Sequence, residues 1–312
     1  MEGKLGKPRK AAPGLRNKQP VVSVIIVNYH VEKELFACLT SLKQNTSAPL
    51  FEIIIVDNDE KKTLEKPLKT RFPDVLYLPS PGNIGFGAGN NLGVSRAKGE
   101  LLFFLNPDTK VSKNTIQELS QFLKEHSNVA IVAPILVDIH NKPFLLQGTT
   151  ALTPFTALFA HSFLNKLFPQ NPVSKKFWLK DWDKKSDKKV DTAPGTAFMI
   201  RNEFFREIGG FDEKLFLYFE EDDLGRRVTN LGKDIYITSK TSIFHAIGKS
   251  MEKSKTNTTD VFMRSRYYYF KKHFGLLQAL LIEFFLRLRK SDLLFLLIFA
   301  LGIFLRFFHK YD

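Results

Sequence analysis

Four stretches of this 312-residue sequence group side chains in ways that chemistry can use. Asn106-Pro107-Asp108-Thr109 places an acid just behind the apolar run Leu101–Leu105. A carboxylate there offers hard oxygen ligands to a divalent cation and leaves positions for a substrate phosphate; it can equally cap a helix over Ser112–Glu125. Glu220–Asp223 is a run of four carboxylates flanked by Phe216, Tyr218 and Phe219. Acids suit the first turn of a helix, while aromatic neighbours desolvate a carboxylate and raise its pKa toward that of a general base. If Glu220 opens a helix, successive side chains diverge by about 100°. Glu220 and Asp223 then share one face and Glu221 points to the other, so either Glu221 or the Glu220/Asp223 pair faces a substrate. His245, in SIFHAIG, gains interest as a ligand only in combination with Asp108.

The glycine-rich stretch Gly82–Gly93 (GNIGFGAGNNLG) is the fourth. It follows a strand and opens a helix, but a dinucleotide fingerprint starting Gly85-x-Gly87 requires glycine at 90, where Asn90 stands. That spacing excludes the dehydrogenase reading. Asn83, Asn90 and Asn91 remain able to hydrogen-bond a nucleotide or sugar, and the glycines also serve tight packing.

These groups need elements to hold them. Val21–Asn28 is a β-branched apolar run that predicts a buried strand; Phe51–Val56, Asp74–Leu78 and Leu101–Leu105 predict three more. Helical spacing in Glu34–Gln44 (Leu35, Cys38, Leu39, Leu42) and a helix over roughly 84–97 fall between them, and Asp234–Thr238 predicts a later strand. Alternation of this kind argues for an α/β fold with an open, mostly parallel sheet and helices on both faces, in which ligands bind beyond the carboxyl ends of the strands. Asn28, Asp57, Asn106 and Asp108 all fall there, which makes one site.

Composition narrows the class. The chain is 44% hydrophobic and 25% charged, enough apolar content for a folded body. One cysteine, Cys38, excludes an internal disulfide framework and any multi-cysteine metal cluster. The net charge of +14 is concentrated at the extremities: residues 1–20 carry +5, 171–189 carry +4 and 249–312 carry +7, leaving the rest near neutral. A nucleic-acid enzyme spreads basic residues near its motifs, so this pattern suits an anionic membrane surface and no nucleic acid. Residues 1–20 read as a flexible basic arm, with no signal peptide behind them.

Taken in order, VSVIIVNYH (22–30), EIIIVDN (52–58), NIGFGAGNN (83–91), LLFFLNPDT (101–109), GTAFMIR (195–201), GGFDEKLFLYFEEDDLGRR (209–227) and HAIGKS (245–250) resemble the family 2 glycosyltransferases, in particular the rhamnosyltransferase-like branch of bacterial surface polysaccharide biosynthesis. The likeness runs to about residue 275 and includes RSRYYYFKKHFG. It implies a GT-A type Rossmann-like domain over 21–275, a nucleotide-diphosphate sugar donor, a divalent cation (Mg²⁺ or Mn²⁺) and transfer with inversion. By that resemblance Asp57 reads the donor base and Asn28 lines the nucleotide pocket. Asn83, Phe86, Asn90 and Asn106 belong to the donor site, and Gly209–Glu213 lies against the acceptor. Asp108 and His245 hold the metal, Asp108 in a position usually written DxD that is NxD here. The family's Glu-Asp pattern falls on Glu220-Glu221, so the catalytic candidates are Glu221 as base and Asp223 on the opposite face. Rhamnose is the expected sugar and a lipid-linked glycan the expected acceptor.

The last 40 residues supply a location. Phe274–Leu288 is apolar but interrupted by Gln278, Glu283 and Arg287, and Leu293–Leu305 has thirteen uncharged residues. A spanning helix needs about 20. Flanking Arg287, Arg289, Lys290, Arg306 and Lys310 suit amphipathic helices lying in an interface, so 276–312 is expected to attach the protein to the cytoplasmic face of the cell membrane. Two other classes bear on the same residues. A catalytically silent GT-A-like module would bind a sugar nucleotide or scaffold a polysaccharide assembly complex. A nucleotidyltransferase would need a basic glycine-rich loop after the first strand, which Asn28–Lys33 (NYHVEK) does not provide.

Overall fold

The computed structural model describes residues 19–46, 49–246 and 258–288. A nine-stranded sheet runs through the centre, with path order β3 (Leu76–Pro79), β2 (Phe51–Asp57), β1 (Val22–Asn28), β4 (Leu101–Leu105), β8 (Ala197–Arg201), β6 (Val129–Val137), β9 (Asp234–His245) and β5 (Thr109–Val111). The ninth strand, β7 (Lys188–Val190), pairs with β9. The expectation of a mostly parallel sheet holds for one half: β3, β2, β1 and β4 are all parallel. Beyond β4 the pairing turns mixed, because β8 runs antiparallel to both β4 and β6, while β6 and β9 are parallel. The fold is thus mixed α/β.

The strands are apolar on both sides because both faces are covered. Val24 and Ile26 of β1 and Phe103 of β4 face one cluster, built with Leu35, Cys38 and Leu42 of α1 (Glu32–Asn45) and Ile116, Leu119 and Phe122 of α4 (Thr115–Glu125). Ile25, Leu102 and Phe104 face a second cluster on the opposite side, with Phe205, Phe211 and Leu224. Alternate residues on one strand therefore enter different cores.

Two expected boundaries move for identifiable reasons. The third strand begins at Leu76, because Phe72 accepts a hydrogen bond from Val75 in a turn that closes α2 (Glu65–Arg71). The helix expected over Ser112–Glu125 starts at Thr115 behind a left-handed Asn114, since Thr109–Val111 is taken by β5 pairing with β9. Asp108 therefore does not cap that helix.

Between β6 and β8 the chain inserts three short helices, α5 (Pro154–His161), α6 (Phe163–Leu167) and α7 (Pro172–Phe177). After β8 come α8 (Asn202–Glu207) and the acidic α9 (Glu220–Asn230). The helix Thr258–Phe274 and the helix Leu276–Arg287 close the described chain. They build a third cluster in which Leu152, Phe177 and Phe219 pack with Tyr269, Phe270, Ala279 and Ile282. Arg266 clamps Glu283 with two hydrogen bonds of 2.7 and 2.8 Å, so residues on both sides of the expected 275/276 boundary share one core.

Candidate active site

The carboxyl edge of the parallel half gathers the polar groups. Asn28 and Asp57 are register partners at the ends of β1 and β2, and both are fully buried. Asn28 Nδ2 donates to Asp57 Oδ1 (3.1 Å), and the Tyr77 hydroxyl donates to Asp57 Oδ2 (2.8 Å). Burial, reinforced by that bond, pushes the Tyr77 phenol above its ordinary range. Asn58, which the sequence reading left without a role, donates from Nδ2 to the Gly85 carbonyl (3.0 Å). The buried Oδ1 atoms of Asn28 and Asn58 have no hydrogen-bond partner. Buried polar atoms are nearly always paired, so two at one strand edge mark a place where a ligand's donors fit.

The glycine-rich stretch folds over this edge. Asn83 Oδ1 accepts from the Gly85 N–H (3.2 Å), and the buried Asn90 donates from Nδ2 to the Phe86 carbonyl (3.0 Å). Their side chains shape the start of α3 (Phe86–Val94). Gly85 has φ +89°, and a Cβ there would lie 2.4 Å from the Phe216 carbonyl oxygen, so glycine is required. The next amide, Phe86 N, donates to that same carbonyl (2.9 Å) and ties the loop to the segment leading into α9.

Asp108 and His245 are brought together by the β5–β9 ladder, in which Thr109 pairs with His245. His245 Nε2 lies 3.5 Å from Asp108 Oδ1, and that buried oxygen has no hydrogen-bond partner. An orphaned carboxylate oxygen beside an imidazole nitrogen fits a divalent cation, with waters and phosphate oxygens completing the shell. Among the described residues, the group of three side chains with ligand atoms within 4.8 Å of one another is instead His30, Asp59 and Glu60, beyond β1 and β2. There His30 Nδ1 already donates to Asp59 Oδ2 at 2.8 Å. Asn106 reaches the site by its backbone: its N–H donates to the Thr196 carbonyl (2.8 Å) and its carbonyl accepts from Thr109 Oγ1 (2.6 Å). Cys38 is buried under Thr109, and its thiol is pushed up to about 12, as a non-nucleophile should be.

Glu221 comes to this edge through the neighbouring strand. A Cβ on Gly195 would sit 3.5 Å from Glu221 Oε1, and Gly195 precedes Thr196, which holds Asn106. The helix can approach so closely because of Gly225, where a Cβ would meet the Asp191 carbonyl at 2.4 Å. The four acids then separate. Glu221 and Asp222 line a cavity of about 240 Å³ with Thr192, Trp178, Tyr218 and Phe262. Burial pushes the Glu221 carboxyl up, and Asp222, also facing the Glu221 charge, rises to about 7. Thr192 Oγ1 donates to Asp222 Oδ1 at 3.2 Å.

Asp223, one of the two catalytic candidates, turns away from that cavity. It is fully buried and binds Arg227 Nε (2.9 Å), Lys272 Nζ (2.5 Å) and His273 Nε2 (2.7 Å). Burial alone would raise its pKa, but hydrogen bonds from His273 and Lys272 and the Arg227 charge hold it down at about 2. Its geometry is that of an ion-pair anchor. Glu220 is buried with Oε2 unpartnered, and Arg226 lies over the Phe274 ring at 4.2 Å. Gly209–Glu213 lines a polar cleft with Asn91, Arg227 and Lys272. There Asp212 bonds Tyr268 and Lys272, and Glu213 bonds Asn91. A groove of about 1150 Å³ lies at the opposite end of the sheet around Lys98–Leu101 and Arg201–Glu203, away from these groups.

A family model, "Glycosyl transferase family 2", matches residues 23–209. The chain belongs to that family. The hexosyltransferase Agl10 of low-salt glycan biosynthesis in Haloferax volcanii is 30% identical over 204 residues, covering 64% of this chain and 59% of its own. The N-acetylglucosaminyl-diphospho-decaprenol L-rhamnosyltransferase of Mycobacterium tuberculosis is 24% identical over 246 residues, covering 72% of this chain and 76% of its own. A crystal structure of GalNAc-T7 with UDP, GalNAc and Mn²⁺ superposes with a TM-score of 0.55 at 18% identity, over 73% of this chain and 44% of that one. This likeness concerns the fold.

Proposed function

We propose that this chain is an inverting glycosyltransferase that moves a sugar, rhamnose in our reading, from a nucleotide-diphosphate donor to a hydroxyl of a lipid-linked or polysaccharide glycan. The observation that supports the reading is the run of contacts from the Asp108–His245 pair through Asn106, Thr196 and Gly195 to Glu221. Asn28, Asp57 and Asn58 supply buried amide and carboxylate groups for the base. Asn83, Phe86 and Asn90 shape the loop behind the donor. Asp108 and His245 would hold a divalent cation, which when bound supplies charge neutralisation for the departing nucleoside diphosphate.

Single displacement needs no protein nucleophile. It needs a base that takes the acceptor hydroxyl proton as the oxygen attacks the anomeric carbon. In this reading Glu221 takes that role, supported by the burial that raises its pKa and strengthens it as a proton acceptor once ionised. Asp223 acts at a distance by anchoring α9 to the helix Thr258–Phe274.

Attachment to the cytoplasmic membrane face belongs to the same reading. On the helix Leu276–Arg287, Leu277, Leu280, Leu281 and Phe284 are exposed, while Ala279 and Ile282 on the other side are buried. Among the described residues no helix is long and apolar enough to cross a membrane. Leu293–Leu305 and the basic residues Arg289, Lys290, Arg306 and Lys310 lie outside the described residues, as does most of the basic arm, while the exposed Arg287 bonds Glu283 at 3.1 Å.

The test is turnover with a panel of nucleotide-sugars, Mg²⁺ or Mn²⁺ present or chelated, and native membranes as acceptor source. Metal-dependent transfer that Asp108→Asn abolishes is the expected result. Undiminished turnover under excess chelator overturns the metal role, and no transfer from any donor favours a silent binding module.

A further inference from the structure

We propose that the cavity beside Glu221 is the subsite for the acceptor's sugar ring, with Trp178, Tyr218 and Phe262 as its stacking walls; this deepens the glycosyltransferase reading and rests on it. The cavity holds about 240 Å³, below the roughly 300 Å³ at which sites for drug-sized ligands begin. It therefore suits one ring of a glycan, with the rest of the chain outside. Its composition is divided. Trp178, Tyr218, Phe262 and Phe177 supply aromatic surface, with His161 edge-on to Phe177 and Trp178, and Glu221, Asp222, Thr192 and Thr149 supply the polar groups, Thr192 bonded to Asp222. A pyranose has the same division, with an apolar C–H face for aromatic rings and hydroxyls at the rim for oxygens.

Three elements distant in sequence meet to build these walls. Trp178 follows α7 in the insertion between β6 and β8, stacked edge-on against Phe177 at 4.8 Å. Phe262 comes from the helix Thr258–Phe274 and meets Tyr218 at 5.4 Å and Phe219 at 5.1 Å. Tyr218 and Phe219 both have positive φ, +71° and +69°. Consecutive left-handed aromatics cost about 1–3 kcal/mol each, and such strain persists where the surroundings enforce it. Here Ser265 Oγ holds the Leu217 carbonyl (2.8 Å), and Phe86 of the donor loop holds the Phe216 carbonyl (2.9 Å). The strained turn thus connects the donor loop on one side to the aromatic cavity on the other, and it launches α9 so that Glu221 faces the cavity. A ring seated there presents a hydroxyl to the base.

The experiment measures transfer by the full-length protein from the donor that the panel identifies, titrating a lipid extract of native membranes as acceptor. Nucleotide affinity is measured separately with the matching nucleoside diphosphate. Phe262→Ala, whose ring is already 36% exposed, and Trp178→Ala should each raise the apparent KM for acceptor by about tenfold, with nucleotide Kd unchanged. Trp178→Phe, which keeps a ring, should recover most of that loss. Wild-type acceptor KM in Phe262→Ala and Trp178→Ala, both with intact nucleotide binding, overturns the subsite. A loss in Trp178→Ala that Trp178→Phe does not recover, with Phe262→Ala at wild-type KM, also overturns it, as a packing defect. No transfer by the wild-type protein from any donor overturns the underlying reading instead.

Discussion

Glu221, Asp222 and Asp223 are adjacent in sequence and differ in their surroundings, and each difference has a measurable sign. Glu221→Gln removes the proton acceptor and is expected to lower kcat by about 10²–10⁴-fold with nucleotide affinity nearly unchanged. Because burial raises the Glu221 pKa, the wild-type rate should climb with pH through a value above the ordinary carboxylate range; a profile flat from pH 5 to 9 would contradict this. Asp223 carries the opposite shift. Its folded pKa of about 2 lies below its unfolded value, so its stabilisation is present above about pH 4 and fades as pH falls toward 2. That shift is worth about 2 kcal/mol. Asp223→Asn should therefore lower Tm markedly at pH 7, and the deficit relative to wild type should shrink in acid. Asp222, raised to about 7, has the reverse linkage: wild-type stability falls as pH rises from about 4 to 7. Asp222→Asn keeps an oxygen for the Thr192 hydroxyl and should raise Tm at pH 8 more than at pH 4, as read by thermal melts.

At the level of elements, the site depends on close approaches that a single methyl disturbs. Gly85→Ala must hold a left-handed backbone and drive a Cβ to 2.4 Å from the Phe216 carbonyl. The conformational part alone costs about 1 kcal/mol. The larger consequence is displacement of a loop that bridges Asn58 and the Tyr218–Phe219 turn. Nucleotide affinity and acceptor KM should worsen together in this variant, and calorimetry with nucleoside diphosphate checks the first. The glycine-rich stretch was legible as a loop opening a helix, and its failed dinucleotide spacing was informative. Its partner was not, since Phe216 lies 130 residues downstream and no local pattern announces a backbone-to-backbone contact.

For the whole molecule, the C-terminal helices are both part of the body and a route to a surface. Deleting 276–312 would strip Ala279 and Ile282 from Tyr269 and Phe270 and leave Arg266 without Glu283, so misfolding is expected rather than clean release. The sharper test is substitution on the exposed face: Leu280→Glu with Leu281→Glu, at residues 52% and 48% exposed, should abolish sedimentation with anionic phosphatidylserine vesicles while Tm stays within a few degrees of wild type. Retained sedimentation would place the attachment elsewhere.

Continuous β-branched runs bury on both faces whatever surrounds them, so the sequence alone determined β1, β2 and β4, their polar carboxyl ends, and the family. The 100° spacing of helix positions likewise separated Glu221 from Asp223 before any coordinates. The antiparallel half of the sheet was decided by tertiary structure, because β8 pairs with β4 and β6 across roughly 100 and 70 residues and strand direction is not written in hydropathy. Asp108 looked like a helix cap until β5 claimed the residues behind it. Asp222 became a cavity residue only when Gly225 let α9 settle against Thr192. Trp178 and Phe262 carry no mark of a site in the sequence, and Tyr218 announces only an aromatic neighbour for the acids, since the cavity they enclose exists only once three distant segments have packed.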